Sequence, residues 1–408
     1  MRKGFLFFFI TLLLAACTQK PEGHKVVICI PVYGQSLALG EEAERITDFD
    51  SLAAYANGRI VTENLDHDFG YFEHDDLKKF AKKMIKYQRR SFELSIYTMA
   101  QRLADQLGED TLICTFPGGQ GETLIKDLGK GSSTYQTFME DITQAYQQAL
   151  DNGWEFYVPA VCWMQGESDI EDYPNTDYQR LLEKTWRDMN ADIRQITQQQ
   201  DTVCFICYQT NSLARGKKFH STNYESVETK VPQSYINLLR NNKYFWVSGP
   251  TYPYHCVNEH IHIDAIGQQH IGELAAHSAL GIIRGSDRHK GLIPEHISTD
   301  NQNVIIHFNI PNSPLTFDTL QVNKADHYGF SVITKDNQNI AKAVSLSGDS
   351  IIITCSEVPQ NCKVRYAVNG DYLKTGNLHG PRGNLRDSNG NWCYQFDEPL
   401  PSSLKNRI

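Results

Sequence analysis

The sequence predicts an α/β fold in which a parallel sheet is covered on both faces by helices, followed by a small all-β module. Three observations carry this. Short apolar runs rich in β-branched residues alternate with amphipathic helical stretches from about residue 26 to about residue 280. The first three runs each end in a polar, glycine-containing turn, so these turns share the carboxyl edge of one sheet. Beyond about Asp287 the pattern changes to short alternating strands separated by Asn, Asp, Gly and Pro.

Val26 to Val32 reads as the first strand, running into the turn Gly34-Gln35-Ser36. Phe92, Ile96, Met99, Ala100, Leu103 and Leu107 lie on one helical stripe closed by Gly108. Thr111 to Phe116 is the second strand and leads into Pro117-Gly118-Gly119-Gln120-Gly121. A helix capped by Ser132 or Ser133 follows, burying Phe138, Ile142 and Ala145. Phe156 to Trp163 is the third strand and ends in Met164-Gln165-Gly166-Glu167-Ser168-Asp169. A long helix from about Thr176, a strand at 202–208, a helix at 233–240, a short strand at 244–247 and a helix over 266–280 complete the first domain. Strands are then expected at 304–310, 315–322, 330–334, 342–346, 350–355 and 363–368, as in a small sandwich. The expected division is a leader over 1–17, a tether over 18–24, an α/β domain over 25–286 and the β module over 290–408.

The 408 residues carry a formal net charge of −9, with 40% hydrophobic and 21% charged residues. No basic stripe stands out to neutralise phosphates, which argues against a nucleic-acid partner. Arg2 and Lys3 precede the apolar run Phe5 to Leu14, which is too short to span a bilayer as a mature helix. Leu14-Ala15-Ala16-Cys17 resembles a bacterial lipobox. That resemblance implies cleavage before Cys17, lipidation of Cys17, and a mature protein tethered to a membrane outside the cytoplasm.

Cys17 is one of ten cysteines. Cys204 and Cys207 fall on an expected strand and point to opposite faces, so neither a redox pair nor a zinc site is expected there. Cys355 with Cys362, or either with Cys393, is the most plausible disulfide. Asp66-His67-Asp68 and His74-Asp75-Asp76 lack a fixed ligand spacing and read as a solvated insertion that could wall a pocket.

The chemistry is expected at the shared sheet edge. A serine hydroxyl needs an adjacent base, and the base needs a third group that fixes its tautomer and stabilises its charged form. Ser36 is the candidate nucleophile. His262, in Asn258-Glu259-His260-Ile261-His262 ahead of the last helix, is the candidate base. Glu259, three residues before it, could reach Nδ1 of His262 across a turn. His255, His260, His262 and Asp264 could be read as a metal cluster. In an extended run His260 and His262 share a face that Glu259 and His255 do not, and no metal or other cofactor is expected.

With these pieces in order, the chain resembles an SGNH-type hydrolase of the sialate O-acetylesterase and acetylxylan-esterase-like branch. The resemblance rests on Gly34-Gln35-Ser36, the glycine turn 118–121, Trp163-Met164-Gln165-Gly166-Glu167-Ser168-Asp169 and His262-Ile263-Asp264-Ala265-Ile266-Gly267, spanning about residues 25–285. It implies a flavodoxin-like three-layer α/β/α sheet and removal of O-acetyl groups from carbohydrates without a metal. It also implies an oxyanion hole built from the Ser36 N–H, Gly119 (or Gly121) and the Gln165 side chain, with Glu167 bracing the loop or binding sugar. The family usually has Asp where this chain has Glu259, and many relatives have Asn where this chain has Leu37.

Overall fold

The computed structural model describes residues 25–48, 58–61, 92–171, 175–210, 229–371 and 374–401. Cys17 with its leader and the two Asp/His clusters of the expected insertion lie outside the described residues.

Pro31 and Pro159 lack the amide hydrogen a sheet ladder needs, and the long strands break near them. The first strand is split into β1 (Val26–Cys29) and β2 (Val32–Gly34), followed after β3 (Ile60–Val61) by the second, split into β4 (Thr111–Cys114) and β5 (Pro117–Gly119). The third is split into β6 (Glu155–Tyr157) and β7 (Ala160–Met164), with β8 (Cys204–Gln209) and β9 (Phe245–Pro250) beyond it. The halves form two parallel sheets, β3-β4-β1-β6 and β5-β2-β7-β8-β9. Ile30 N–H to Cys114 O and Cys162 N–H to Pro31 O carry the pairing across the break. The first long strand therefore sits between the second and third, the flavodoxin-like order with its switch point beside β2.

Alternate strand residues feed two cores. Val27, Cys29, Tyr33, Val161 and Trp163 pack with the helices α3 (Ser133–Asp151), α5 (Tyr178–Thr197) and α6 (Lys230–Asn241). Ile28, Ile30, Val32, Cys162 and Ile206 pack with α1 (Ser95–Gln106) and α7 (Ala265–Arg284) on the other face. Two short helices, α2 (Ile125–Leu128) and α4 (Glu167–Glu171), follow the second and third strands. As expected, Ser132 caps α3, accepting the Tyr135 N–H at 3.1 Å. No helix among the described residues is long and apolar enough to cross a membrane.

The C-terminal part forms antiparallel sheets. One has β10 (Ile293–Asp300), β11 (Asn303–Asn309), β14 (Ala341–Ser347) and β15 (Ser350–Cys355), in the order β10-β11-β15-β14. The other has β13 (Phe330–Ile333), β16 (Lys363–Tyr366) and β18 (Phe396–Pro399), and β12 (Thr316–Phe317) pairs with β17 (Leu385–Arg386). Two differences from the sequence expectation have local causes. The strand expected over 315–322 stops at Phe317, because the Asp318 carboxylate accepts the N–H groups of Leu320 and Gln321 and turns the chain. The unanticipated β10 is mostly polar and pairs with β11 through the turn at Asn301 and Gln302.

The module packs onto the α/β part through a shared apolar core. Most of its buried apolar residues, from Leu292 to Leu400, belong to the same apolar cluster as β1, β7 and α5. Polar contacts reinforce the join: Gln209 and Gln395 exchange two 2.8 Å hydrogen bonds, and the Tyr252 hydroxyl donates to Cys393 O at 2.7 Å. All nine described cysteines are buried free thiols, so the expected bridge among Cys355, Cys362 and Cys393 is absent.

Candidate active site

Two glycines bring three strand ends together. A Cβ on Gly34 would lie 1.9 Å from Met164 O, and one on Gly119 would lie 1.9 Å from Gly34 O. Gly119 also has φ +125°, outside the comfortable range of L side chains. Beyond Gly34 the chain enters a 3-10 turn over Ser36–Leu39 with Ser36 as its first residue. The Ser36 N–H therefore has no intrahelical partner. The side chain is nearly buried, at 4% exposure.

His262 reaches this serine from a hairpin. Val257 N–H donates to His262 O at 2.8 Å and Asp264 N–H to His255 O at 2.9 Å. Asp264 then caps α7 through a 2.8 Å bond from the Gly267 N–H. Ser36 Oγ lies 2.8 Å from His262 Nε2, and His262 Nδ1 lies 2.7 Å from Glu42 Oε2. With the proton on Nδ1, the imidazole donates to Glu42 and accepts from the serine. Gln268 on α7 ties the two sides together, donating to Leu37 O at 3.0 Å and accepting from the Ser95 N–H at 3.2 Å.

The third member of this line is Glu42, not Glu259. Glu259 faces away from His262 and accepts from Lys374 Nζ at 3.0 Å and from His379 Nδ1 at 2.6 Å. These partners hold its carboxyl below the usual range, His379 foremost. Asn258 and Glu259 occupy the left-handed region at φ +54° and +51°, which turns the Glu259 side chain toward the C-terminal module. Backbone bonds complete this clamp: Thr375 N–H donates to Glu259 O at 3.1 Å and Asn377 N–H to Tyr254 O at 3.2 Å. Glu42 lies six residues after the serine, itself at φ +64°, where the 3-10 turn brings the chain back toward the histidine. Neither charge nor spacing in the sequence separates it from Glu41.

Gln165 also departs from its expected role. Its Nε2 donates to Thr123 O at 3.1 Å and to Asp169 Oδ2 at 2.5 Å, which engages both of its hydrogens. Its backbone oxygen accepts from the Tyr178 and Tyr235 hydroxyls. Gln165 is thus a fully buried brace rather than a donor aimed at the serine. Gln35 does sit beside the serine: its Oε1 accepts from the Gly166 and Ser168 N–H groups at 3.3 and 3.4 Å. Its Nε2 has no partner among the described residues.

Gly119 lies where expected, on the terminal strand β5 against Gly34. Gln120 N–H bonds Gly34 O, so by the alternation of a parallel ladder the Gly119 N–H points to the open side. Gly121 is one turn further on, its carbonyl accepting from the Thr123 hydroxyl at 2.9 Å. Glu167 is buried, and the Tyr208 hydroxyl donates to its Oε1 at 2.5 Å. Burial pushes its carboxyl up, opposed in part by that hydroxyl. Glu167 therefore braces the loop after β7. Of the possible metal ligands, His260 joins His262 and Glu42, whereas His255 and Asp264 do not.

Comparison with known proteins fits this arrangement. Residues 80–281 match the family of carbohydrate esterases described as sialic acid-specific acetylesterase. The match takes in Gly119, Gln165 and His262 and begins after Ser36 and Glu42. Among solved structures, XAC1771, a carbohydrate acetylesterase from Xanthomonas citri, superposes with a TM-score of 0.58 at 14% identity, covering 91% of this chain and 80% of that one. NanS superposes with a TM-score of 0.44 at 15% identity over 64% of this chain and 99% of its own. A protein from Arabidopsis thaliana does so at 0.46 and 15%, over 63% and 98%. No curated protein sequence matches the chain. Residues 80–281 are thus similar to the sialic acid-specific carbohydrate esterase family, and the chain has an α/β fold like that of XAC1771.

Proposed function

We propose that this protein removes O-acetyl groups from carbohydrates through a serine acyl-enzyme. The observation that carries the reading is the continuous line from Ser36 Oγ through the His262 imidazole to the Glu42 carboxylate at the carboxyl edge of the sheet. Ser36 Oγ attacks the acetyl carbonyl carbon as its proton passes to His262 Nε2. Glu42 stabilises the resulting imidazolium through Nδ1. The carbonyl oxygen, now an oxyanion, takes hydrogen bonds from the Ser36 and Gly119 N–H groups and from Gln35 Nε2. Each such donor is worth about 10²–10³ in rate. When the ester bond breaks, the sugar oxygen leaves with the proton from His262. Water, deprotonated by the same imidazole, then attacks the acetyl-serine, and acetate departs.

The lipobox-like run supports a lipid-anchored protein, tethered through Cys17 on the periplasmic or cell-surface side of a bacterial membrane. Loss of labelled acyl-chain incorporation in Cys17→Ser would support the anchor; unchanged incorporation would overturn it. The activity is tested by acetate release from a panel of O-acetylated glycans, wild type against Ser36→Ala. Release that disappears in the variant supports the reading and identifies the sugar. Release that persists removes Ser36 from the chemistry. No release from any glycan or from p-nitrophenyl acetate would favour a glycan-binding protein on this scaffold. Hydrolysis of aryl or lipid esters alone would favour another ester hydrolase.

A further inference from the structure

One titratable side chain beside the Ser36–His262–Glu42 line takes no part in it. His260 lies two residues before His262 on the same hairpin, with Nδ1 3.9 Å from Glu42 Oε2. The same carboxylate oxygen is 2.7 Å from His262 Nδ1. One ligating atom from each of Glu42, His260 and His262 falls within 4.8 Å of the other two. The imidazole rings are 6.4 Å apart at an interplanar angle of 68°, so they do not stack face to face. The Glu42 and His260 side chains are 42% and 44% exposed, open to an ion arriving from solvent.

Two imidazoles and one carboxylate are a donor set suited to zinc, which binds such groups at about 2.0–2.2 Å in tetrahedral geometry. Tetrahedral ligand atoms at that distance are about 3.4 Å apart. The closest pair here must open by about 0.7 Å, the His260–Glu42 pair close by about 0.5 Å and the His260–His262 pair, within 4.8 Å, close by up to about 1.4 Å, movements made by side-chain rotation. Water would take the fourth position.

We propose that Glu42, His260 and His262 form an inhibitory site for Zn²⁺ or a similar divalent transition-metal ion. Coordination at His262 Nδ1 takes the lone pair there, so the neutral ring gives up its Nδ1 proton and takes one up at Nε2 by exchange with solvent, with no net release. The one proton left on the neutral ring then sits on Nε2. That nitrogen donates toward Ser36 instead of accepting its proton, and Glu42 is drawn from the imidazole to the metal. The serine loses its base without any change in fold. The binding site stands on the geometry alone; its effect on activity rests on the esterase reading.

The two are separated by measuring binding without turnover. Titration of Zn²⁺ into the full-length Ser36→Ala protein, followed by calorimetry, is expected to show one site. Adding His260→Ala or His260→Gln is expected to weaken it at least about tenfold. In the wild type, Zn²⁺ is expected to inhibit p-nitrophenyl acetate hydrolysis reversibly with EDTA. In His260→Ala the inhibition midpoint, relative to that variant's own metal-free rate, moves up by the same factor. Absence of zinc binding, or binding indifferent to both His260 substitutions while their circular dichroism matches the parent, would overturn the proposal. Zinc binding through His260 in a protein that hydrolyses no ester would keep the metal site and remove the esterase reading.

Discussion

Glu42→Gln is the substitution that most directly tests how the histidine is held. The glutamine is isosteric and can still accept from His262 Nδ1–H, so the tautomer and ring orientation survive while the negative charge is lost. What disappears is the charge-assisted part of a 2.7 Å hydrogen bond. Hydrogen bonds to charged groups are worth about 1.5–3 kcal/mol. At 1.36 kcal/mol per tenfold this predicts a drop in kcat/KM of about 10- to 150-fold. The buried aspartate of a serine-protease triad is worth about 10⁴. Glu42 should fall short of that because its side chain is 42% exposed and water screens it. Glu259→Gln leaves the Ser36–His262–Glu42 line untouched, and the change should stay within about fivefold, the scale of an exposed ion pair. The assay is steady-state hydrolysis of p-nitrophenyl acetate by the wild type and the two variants, with folding checked by circular dichroism. A larger loss in Glu259→Gln than in Glu42→Gln would refute the reasoning.

Three further outcomes are expected. Gln35→Ala should lower kcat about 10²- to 10³-fold with little change in KM, whereas a KM effect alone would make Gln35 a ground-state binding group. Gly119→Ala, whose Cβ would meet Gly34 O at 1.9 Å on a backbone at φ +125°, should cost about 3 kcal/mol or more in urea unfolding; a variant within about 1 kcal/mol of wild type would contradict this. The clamp on Glu259 should fail in acid. Its carboxyl is held below the ordinary value of 4.5, so its stabilising effect is complete above that value and is lost as pH falls through the lowered one. The difference in melting temperature between wild type and Glu259→Gln should therefore close below about pH 4.5, and a gap constant down to about pH 3 would remove the charge from the clamp.

The sheet and its helices were legible because each element carries its own period and its own stops. The strand runs end in turns that carry Gly34, Gly119 and Gly166, and Ser36 and His262 lie together at that edge of the sheet. What escaped depended on backbone direction rather than residue type. Glu259 has the right chemistry at a plausible separation, yet two successive left-handed residues turn its side chain to Lys374 and His379, a relation spanning more than a hundred positions. Glu42 sits in a polar stretch without periodicity, and only the 3-10 turn after Ser36 aims it at the imidazole. Gln165 occupies its expected position, but Asp169 and Thr123 engage its amide, a local pairing that composition does not reveal. The cysteines misled for a related reason: their oxidation depends on proximity, and in this fold each fills a core position as a small apolar side chain.

The hairpin bearing His262 is fastened by residues 374–379, whereas the serine it serves lies near the start of the described chain. The order of synthesis therefore separates Ser36 from the finished His262 hairpin by most of the polypeptide. The hold on the hairpin is complete only with residues 374–379, so a product cut short after α7 would keep Ser36, Glu42 and His262 and lose the contacts that fasten the hairpin.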